Sequence, residues 1–326
     1  MKNVLSGGVL GLFLASAALS LAGCSIQVGE ILNVRAERHQ ELSAPMAPGS
    51  RLVAQTGFGS IAITGADVEG CRVQAWIHAT APTQTEADQI ADQVRVLLTE
   101  EGNGLRLYVE KPPLPANRSV GVSFTIVVPR QTNLDCTTSF GPIRADDLQG
   151  TVIARTSFSD IHCEKVTGNL NLNTGHGTIE CRQVSFDNLY AKTSFGNITV
   201  DCPAPSRDQT PGRADLETSY GSITAANLMV RDLEAKSSFG NVSAACTPEA
   251  PADLTATIAS SYGTVSLSAP EAFAGEVNLS SSHGSVETDR PVTVQGDLGK
   301  DRLAGRIGDG DGKIHLRTSF GSIKLR

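Results

Sequence analysis

Ten rings recur along this chain, nine of them followed by glycine and one by serine: Phe58, Phe140, Phe158, His176, Phe195, Tyr220, Phe239, Tyr262, His283 and Phe320. From Phe140 onward they are separated by 18, 18, 19, 25, 19, 23, 21 and 37 residues. A base period of 18–19 residues, lengthened in some copies by insertions, marks a repeat architecture. It constrains the fold more than any compositional value does.

With the ring taken as position zero, the copies align in columns. Position −6 holds Leu134, Val152, Leu170, Leu189, Ala214, Leu233, Ala256, Val277 and Ile314, and position −4 is equally apolar. Position −2 is always Thr or Ser, and position +3 is always Ile or Val, from Ile143 to Ile323. Residues between them, such as Arg155, Lys192, Glu217 and Arg317, are polar. This is period-two alternation on both sides of a turn, so each copy carries two half-buried strands. A third apolar point falls at +8, in Leu148, Val166, Val184 and Leu228.

Three inward segments per coil predict an all-β parallel β-helix, or β-solenoid, with coils of about 18–20 residues. At a strand spacing of about 4.8 Å, nine coils make a rod of roughly 40 Å. The alternative is an antiparallel β-hairpin meander. It accounts for the alternation but not for columns that repeat residue type. A hydroxyl at every −2 position suits a stack in which each coil hydrogen-bonds the next at the corner.

The chain divides into a leader at 1–23, a flexible tether at 24–50, a capping region at 51–130 and solenoid repeats at 131–326. The tether ends in the Pro- and Ala-rich SAPMAPGS. Residues 51–66 read as one degenerate copy. RVQAWIHATA, LRLYVEK and SVGVSFTIVVP read as strands. TQTEADQIADQVRVLLTEE reads as an amphipathic helix capped by Thr85, with Ile90, Val94, Leu97 and Leu98 on one face. Such a small α+β cap would cover the open end of the solenoid.

The first residues carry Lys2 and then an apolar run too short for a membrane span. The run ends in Leu21-Ala22-Gly23-Cys24, which resembles the lipobox of bacterial lipoproteins. The resemblance implies cleavage before Cys24 and acylation (diacylglyceryl and palmitate-type chains) of that residue, and so a lasting membrane anchor. Ser25, rather than Asp, implies the outer membrane by the same resemblance. Loss of Lys2 takes the formal net charge from −7 to about −8, which argues against nucleic acid as a partner. Export permits disulfides among the remaining cysteines. Cys163 and Cys181 share position +5 in adjacent coils, and Cys202 and Cys246 share +7. Each pair is a possible disulfide or a pair of buried free thiols.

The residues TGFGSIAITG, the apolar strand ending in Val128-Pro129 and the serial TSFGxI units together resemble the "putative adhesin" β-strand repeat family of bacterial envelope proteins, a domain of unknown function. The resemblance covers about residues 50–326. It implies a solenoid architecture and leaves activity open. Bactofilins share the coil size but lack an exported lipobox and this cap.

Few residues offer chemistry. Asp160, His162 and Glu180 fall on outward positions of neighbouring coils, where they form either a site or a solvated surface trio. His176 and His283 stand several coils apart and read as corner-packing substitutes for the aromatic. Gly308-Asp309-Gly310-Asp311-Gly312 lacks the ligand count of a calcium loop and reads as a flexible turn. No catalytic residue, metal site or cofactor is expected. The sequence therefore points to a non-enzymatic, lipid-anchored envelope solenoid with a structural or adhesin-like surface, whose partners are the membrane and a glycan or envelope protein. The alternatives are a carbohydrate-active β-helix enzyme and a self-assembling scaffold.

Overall fold

The structure, a computed structural model, describes residues 33–206, 209–294 and 299–326. The leader and Cys24 lie outside the described residues. Among the described residues the strands form two long sheets, of 13 and 14 strands. Each coil crosses from one to the other. Asn133–Phe140, Val152–Phe158, Leu170–His176 and Asn188–Phe195 lie side by side in the 14-stranded sheet. Ile143–Gln149, Ile161–Thr167, Ile179–Arg182 and Ile198–Asp201 do so in the 13-stranded sheet. Successive coils pair in parallel with the columns in register: Leu170 faces Leu189, Thr174 faces Thr193 and His176 faces Phe195. That pairing is the β-solenoid and excludes the hairpin meander.

The columns explain why these residues make these strands. The −6 and −4 side chains are buried throughout, as are the +3 side chains except the half-buried Val286. At −2 each hydroxyl is buried and donates to the carbonyl at the corner of the adjoining coil. Thr193 reaches Gly177 O at 2.9 Å, Thr218 reaches Gly196 O at 2.9 Å and Thr318 reaches Gly263 O at 2.8 Å. A corner carbonyl in the interior would otherwise be unpaired. The third inward point is a short side. Asp147, Lys165, Gln183 and Asn227, at +7, have φ of 53–56° and turn the chain so that the +8 residue points inward. Leu148 and Val166 then pair in parallel.

Two expectations need correction, and in one place the stacking order departs from the chain order. Residues 34–45, placed in the tether, form the strand Val34–Pro45, which pairs antiparallel with Gly70–Ala81 along its whole length. Its alternation was hidden among charged residues because one face is solvated. The helix is shorter than the amphipathic pattern suggests. It spans Gln84–Gln93, and Thr83 rather than Thr85 caps it, its hydroxyl accepting from Glu86 N at 3.3 Å. Residues Arg95–Glu101 instead pair antiparallel with Gly104–Glu110. There a sheet edge offered partners that the helical pattern could not anticipate. The helix packs across Val34–Pro45 and Gly70–Ala81.

The third departure is at the other end, where stacking order leaves chain order. The last coil, Gly312–Phe320, inserts between Thr255–Tyr262 and Gly275–His283. The outer edge of Gly275–His283 is already paired antiparallel with Arg302–Ile307. The chain therefore crosses over at 308–311 and fills the inner position. The Gly308–Gly312 segment is that crossover, with Gly308 at φ 59°.

Candidate functional site

The corner that joins the two sheets carries the ring of every copy. The alternation that turns −6, −4 and −2 inward ends there, and the side chain at zero projects out. The eight Phe and Tyr rings are each 43–50% exposed. They stack in one file: Phe58, Phe140, Phe158, His176, Phe195, Tyr220, Phe239, Tyr262, Phe320 and His283. Centroids are 4.5–4.9 Å apart and planes are within 12° of parallel. Nine steps of about 4.8 Å make a ladder of about 43 Å. Each stacked pair contributes about 0.5–1.5 kcal/mol beyond the area it buries. His176 and His283 are rungs of this ladder, consistent with their reading as substitutes for the aromatic.

Glycine at +1 permits the close approach. A Cβ on Gly196 would lie 2.0 Å from Gly177 O. Since both faces of each ring between Phe58 and His283 are covered by its neighbours, that part of the ladder presents ring edges to solvent. Serine borders it at −1, as in Ser139, Ser194 and Ser319, and amides or hydroxyls border it at +2, as in Asn197, Ser222 and Asn241. Asn197 and Asn241 are tied down by accepting Ser222 N and Thr264 N at 2.8 Å. The arrangement is an ordered apolar stripe with a hydrogen-bonding margin. Sequence reasoning located every ring at a corner but not the ladder, because only the geometry of the corner decides that the rings turn out and stack.

The sequence-derived trio does not converge. Asp160 Oδ1 accepts Thr178 N at 2.7 Å and serves as a corner brace. His162 Nδ1 lies 3.0 Å from Glu180 Oε2, and Arg182 holds the other oxygen of Glu180. Partial burial disfavours the Glu180 carboxylate, but the bonds from Arg182 and His162 outweigh it and hold its pKa below the usual range. Arg144, bonded to Asp146 and Glu164, extends the same ion-paired surface. Among the described residues no cluster of His, Cys, Asp or Glu is placed to hold a metal ion.

Cys163 and Cys181 are register neighbours in the core and stand as adjacent free thiols. Cys202 and Cys246 are also free, and a disulfide between them is ruled out by packing. Leu228 pairs with Cys246, and Cys202 N bonds Ala226 O, so the intervening coil separates them. Burial pushes the Cys71, Cys202 and Cys246 thiols up to about 12. The hydrogen bond to Cys163, followed by burial, raises Cys181 as well.

These features define a parallel β-solenoid that carries an exposed aromatic ladder along one corner. The chain belongs to the DUF4097 family, described as Toastrack, whose model matches residues 61–326. Among curated proteins none matches it. Three solved structures are similar to it. A "putative adhesin" from Bacteroides fragilis is 14% identical, with a TM-score of 0.43 over 89% of this chain and 97% of that one. A "putative cell adhesion protein" from Clostridium sporogenes is 10% identical, with a TM-score of 0.23 over 88% and 99%. A "putative lipid binding protein" from Parabacteroides distasonis is 14% identical, with a TM-score of 0.48 over 88% and 96%. Among the described residues no helix is long and apolar enough to cross a membrane.

Proposed function

We propose that this protein is a non-enzymatic, lipid-anchored component of the bacterial envelope whose solenoid offers its aromatic ladder as an adhesin-like binding surface. The observation that carries the reading is the continuity of the exposed rings. Eight Phe and Tyr rings at 43–50% exposure leave roughly 800 Å² of apolar surface in one stripe, more than the largest patch on a typical monomer. A solenoid could have ended each corner on a polar residue. The ladder suits an extended partner, and its margin of Ser, Thr and Asn suits the hydroxyls of a glycan strand. The anchor rests on Leu21-Ala22-Gly23-Cys24, and Ser25 supports placement at the outer membrane.

The enzymatic alternative is less well supported. Asp160 is committed to Thr178 N and Glu180 to Arg182 and His162, which leaves no free acid–base pair at that surface.

The test is co-sedimentation of the purified mature chain with peptidoglycan sacculi and with outer-membrane vesicles. Binding to sacculi is expected, and the double variant Phe195→Ser/Phe239→Ser should lose most of it while keeping its β-sheet circular dichroism. Binding confined to protein-bearing vesicles would replace the glycan with a protein partner. Equal binding by the folded variant would remove the ladder from the function.

A further inference from the structure

At its N-terminal end the ladder stops at Phe58, and the cap shows why. Gly104–Glu110 runs parallel to Arg51–Gln55 with Leu105 opposite Leu52. Continued to the corner, that register sets Lys111 opposite Phe58. Ser119–Pro129 runs parallel to Ile61–Ala66 with Phe124 opposite Ile61. That register sets Gly121 opposite Phe58. Two residues compete for one rung because the corner between these strands is expanded by the chain from 111 to 121. The backbone wins: Val122 N bonds Phe58 O at 2.6 Å, and a Cβ on Gly121 would lie 3.2 Å from Phe58 O and 3.7 Å from Phe58 Cβ.

A glycine therefore stands at the next rung position, and among the described residues the face of Phe58 turned away from Phe140 stacks on no other ring. A cavity of about 470 Å³ opens there, walled by Tyr108 on one strand and Val122 on the other. Arg106 also lines it, but its guanidinium is spent on Glu101 at 3.0 Å and Gln55 at 3.1 Å. Lys111 is exposed, takes part in no salt bridge among the described residues, and holds its Nζ 5.9 Å from the Phe58 centroid. The pocket thus combines one open aromatic face with one uncompensated cation.

We infer that this pocket binds a small aromatic carboxylate, whose ring stacks on Phe58 as a further rung and whose carboxylate takes the Lys111 ammonium. The flat shape follows from the walls. They continue the two strand stacks that hold every other rung, and those rungs sit 4.5–4.9 Å apart with planes within 12°. A puckered ring makes poorer contact with such a face. The charge follows from Lys111, since an ammonium over a ring exchanges a weak cation–π contact for a stronger charge-assisted hydrogen bond. The site uses a ring face, so it is independent of any partner on the ladder's edges.

Isothermal titration of the mature chain with 2-naphthoate tests the proposal. Saturable one-site binding is expected. Lys111→Met, a change at an exposed loop position, should weaken it about tenfold. Phe58→Leu should abolish it, and cyclohexanecarboxylate should bind wild type at least about tenfold more weakly. No saturable binding of naphthoate, equal affinity in the Lys111 variant, retained affinity in the Phe58 variant, or equal affinity for the puckered acid would each overturn it.

Discussion

Gly196→Ala tests the closeness of the stack directly. The added Cβ would sit 2.0 Å from Gly177 O, 2.5 Å from Gly177 C and 3.1 Å from Thr178 N. An ordinary contact is about 3.4 Å or more, so one coil must retreat by more than an ångström from the other. It cannot do so freely. Ile198–Asp201 is paired on both sides, by Ile179–Arg182 and by Ile223–Leu228. The backbone of Gly196 also has φ 154°, which a side chain strains. Strain and overpacking together cost at least about 3 kcal/mol. In a chain of this size that lowers the thermal midpoint by about 5 °C or more. Because solenoid coils couple chiefly to their neighbours, hydrogen exchange should lose protection first in Leu170–His176, Asn188–Phe195 and their partners. Gly57→Ala is the control: no atom lies within 4 Å of its Cβ, and its midpoint should move by less than about 1 °C. Ser159 occupies the +1 column in one coil, where its φ is not among the positive values; Ser159→Gly should accordingly be mild. A Gly196→Ala midpoint within about 2 °C of wild type would refute the close-approach argument.

Thr193→Val leaves the Gly177 carbonyl without its 2.9 Å donor and should cost about 1–2 kcal/mol in urea denaturation, whereas Thr193→Ser, as found naturally at Ser237 and Ser260, should keep the bond and lose only a methyl. The lowered pKa of Glu180 contributes stability above the ordinary carboxylate pKa and loses it as pH falls through the folded value; the melting difference between wild type and Glu180→Gln should therefore be present at neutral pH and close in acid. Thiols raised to about 12 by burial, such as Cys71 and Cys202, should resist iodoacetamide at pH 8 in the folded chain and react on unfolding, and non-reducing mass mapping should find no Cys202–Cys246 peptide. Cys24→Ser should abolish incorporation of labelled palmitate; labelling that persists would remove the proposed anchor.

Much of the solenoid was legible because each column obeys a rule that acts within one coil. Leu189, Ala191, Thr193, Ile198 and Val200 alternate inward at the expected positions and all five are buried. The role of Thr193 could also be read, since a buried hydroxyl at a corner has few uses other than a carbonyl. The candidate trio stayed open between a site and a solvated surface for a related reason. Asp160, His162 and Glu180 do share outward columns, but whether neighbours aim at one another or at backbone depends on rotamers and on backbone groups left over at each corner.

What the sequence determined by itself was the period, the identity of the inward columns and the place of each corner, because alternation and turn chemistry are local and repeat with every coil. Tertiary structure alone decided the rest. Val34–Pro45 became a strand only because Gly70–Ala81 presented an unpaired edge. Gly312–Phe320 entered the stack out of order only because the outer edge of Gly275–His283 was already taken. The rings became a ladder only because two sheets meet at one corner at the strand spacing, which is also the distance at which aromatic rings stack. Backbone hydrogen bonds between residues far apart in sequence set all three, and no local pattern of side chains encodes which edge will be free.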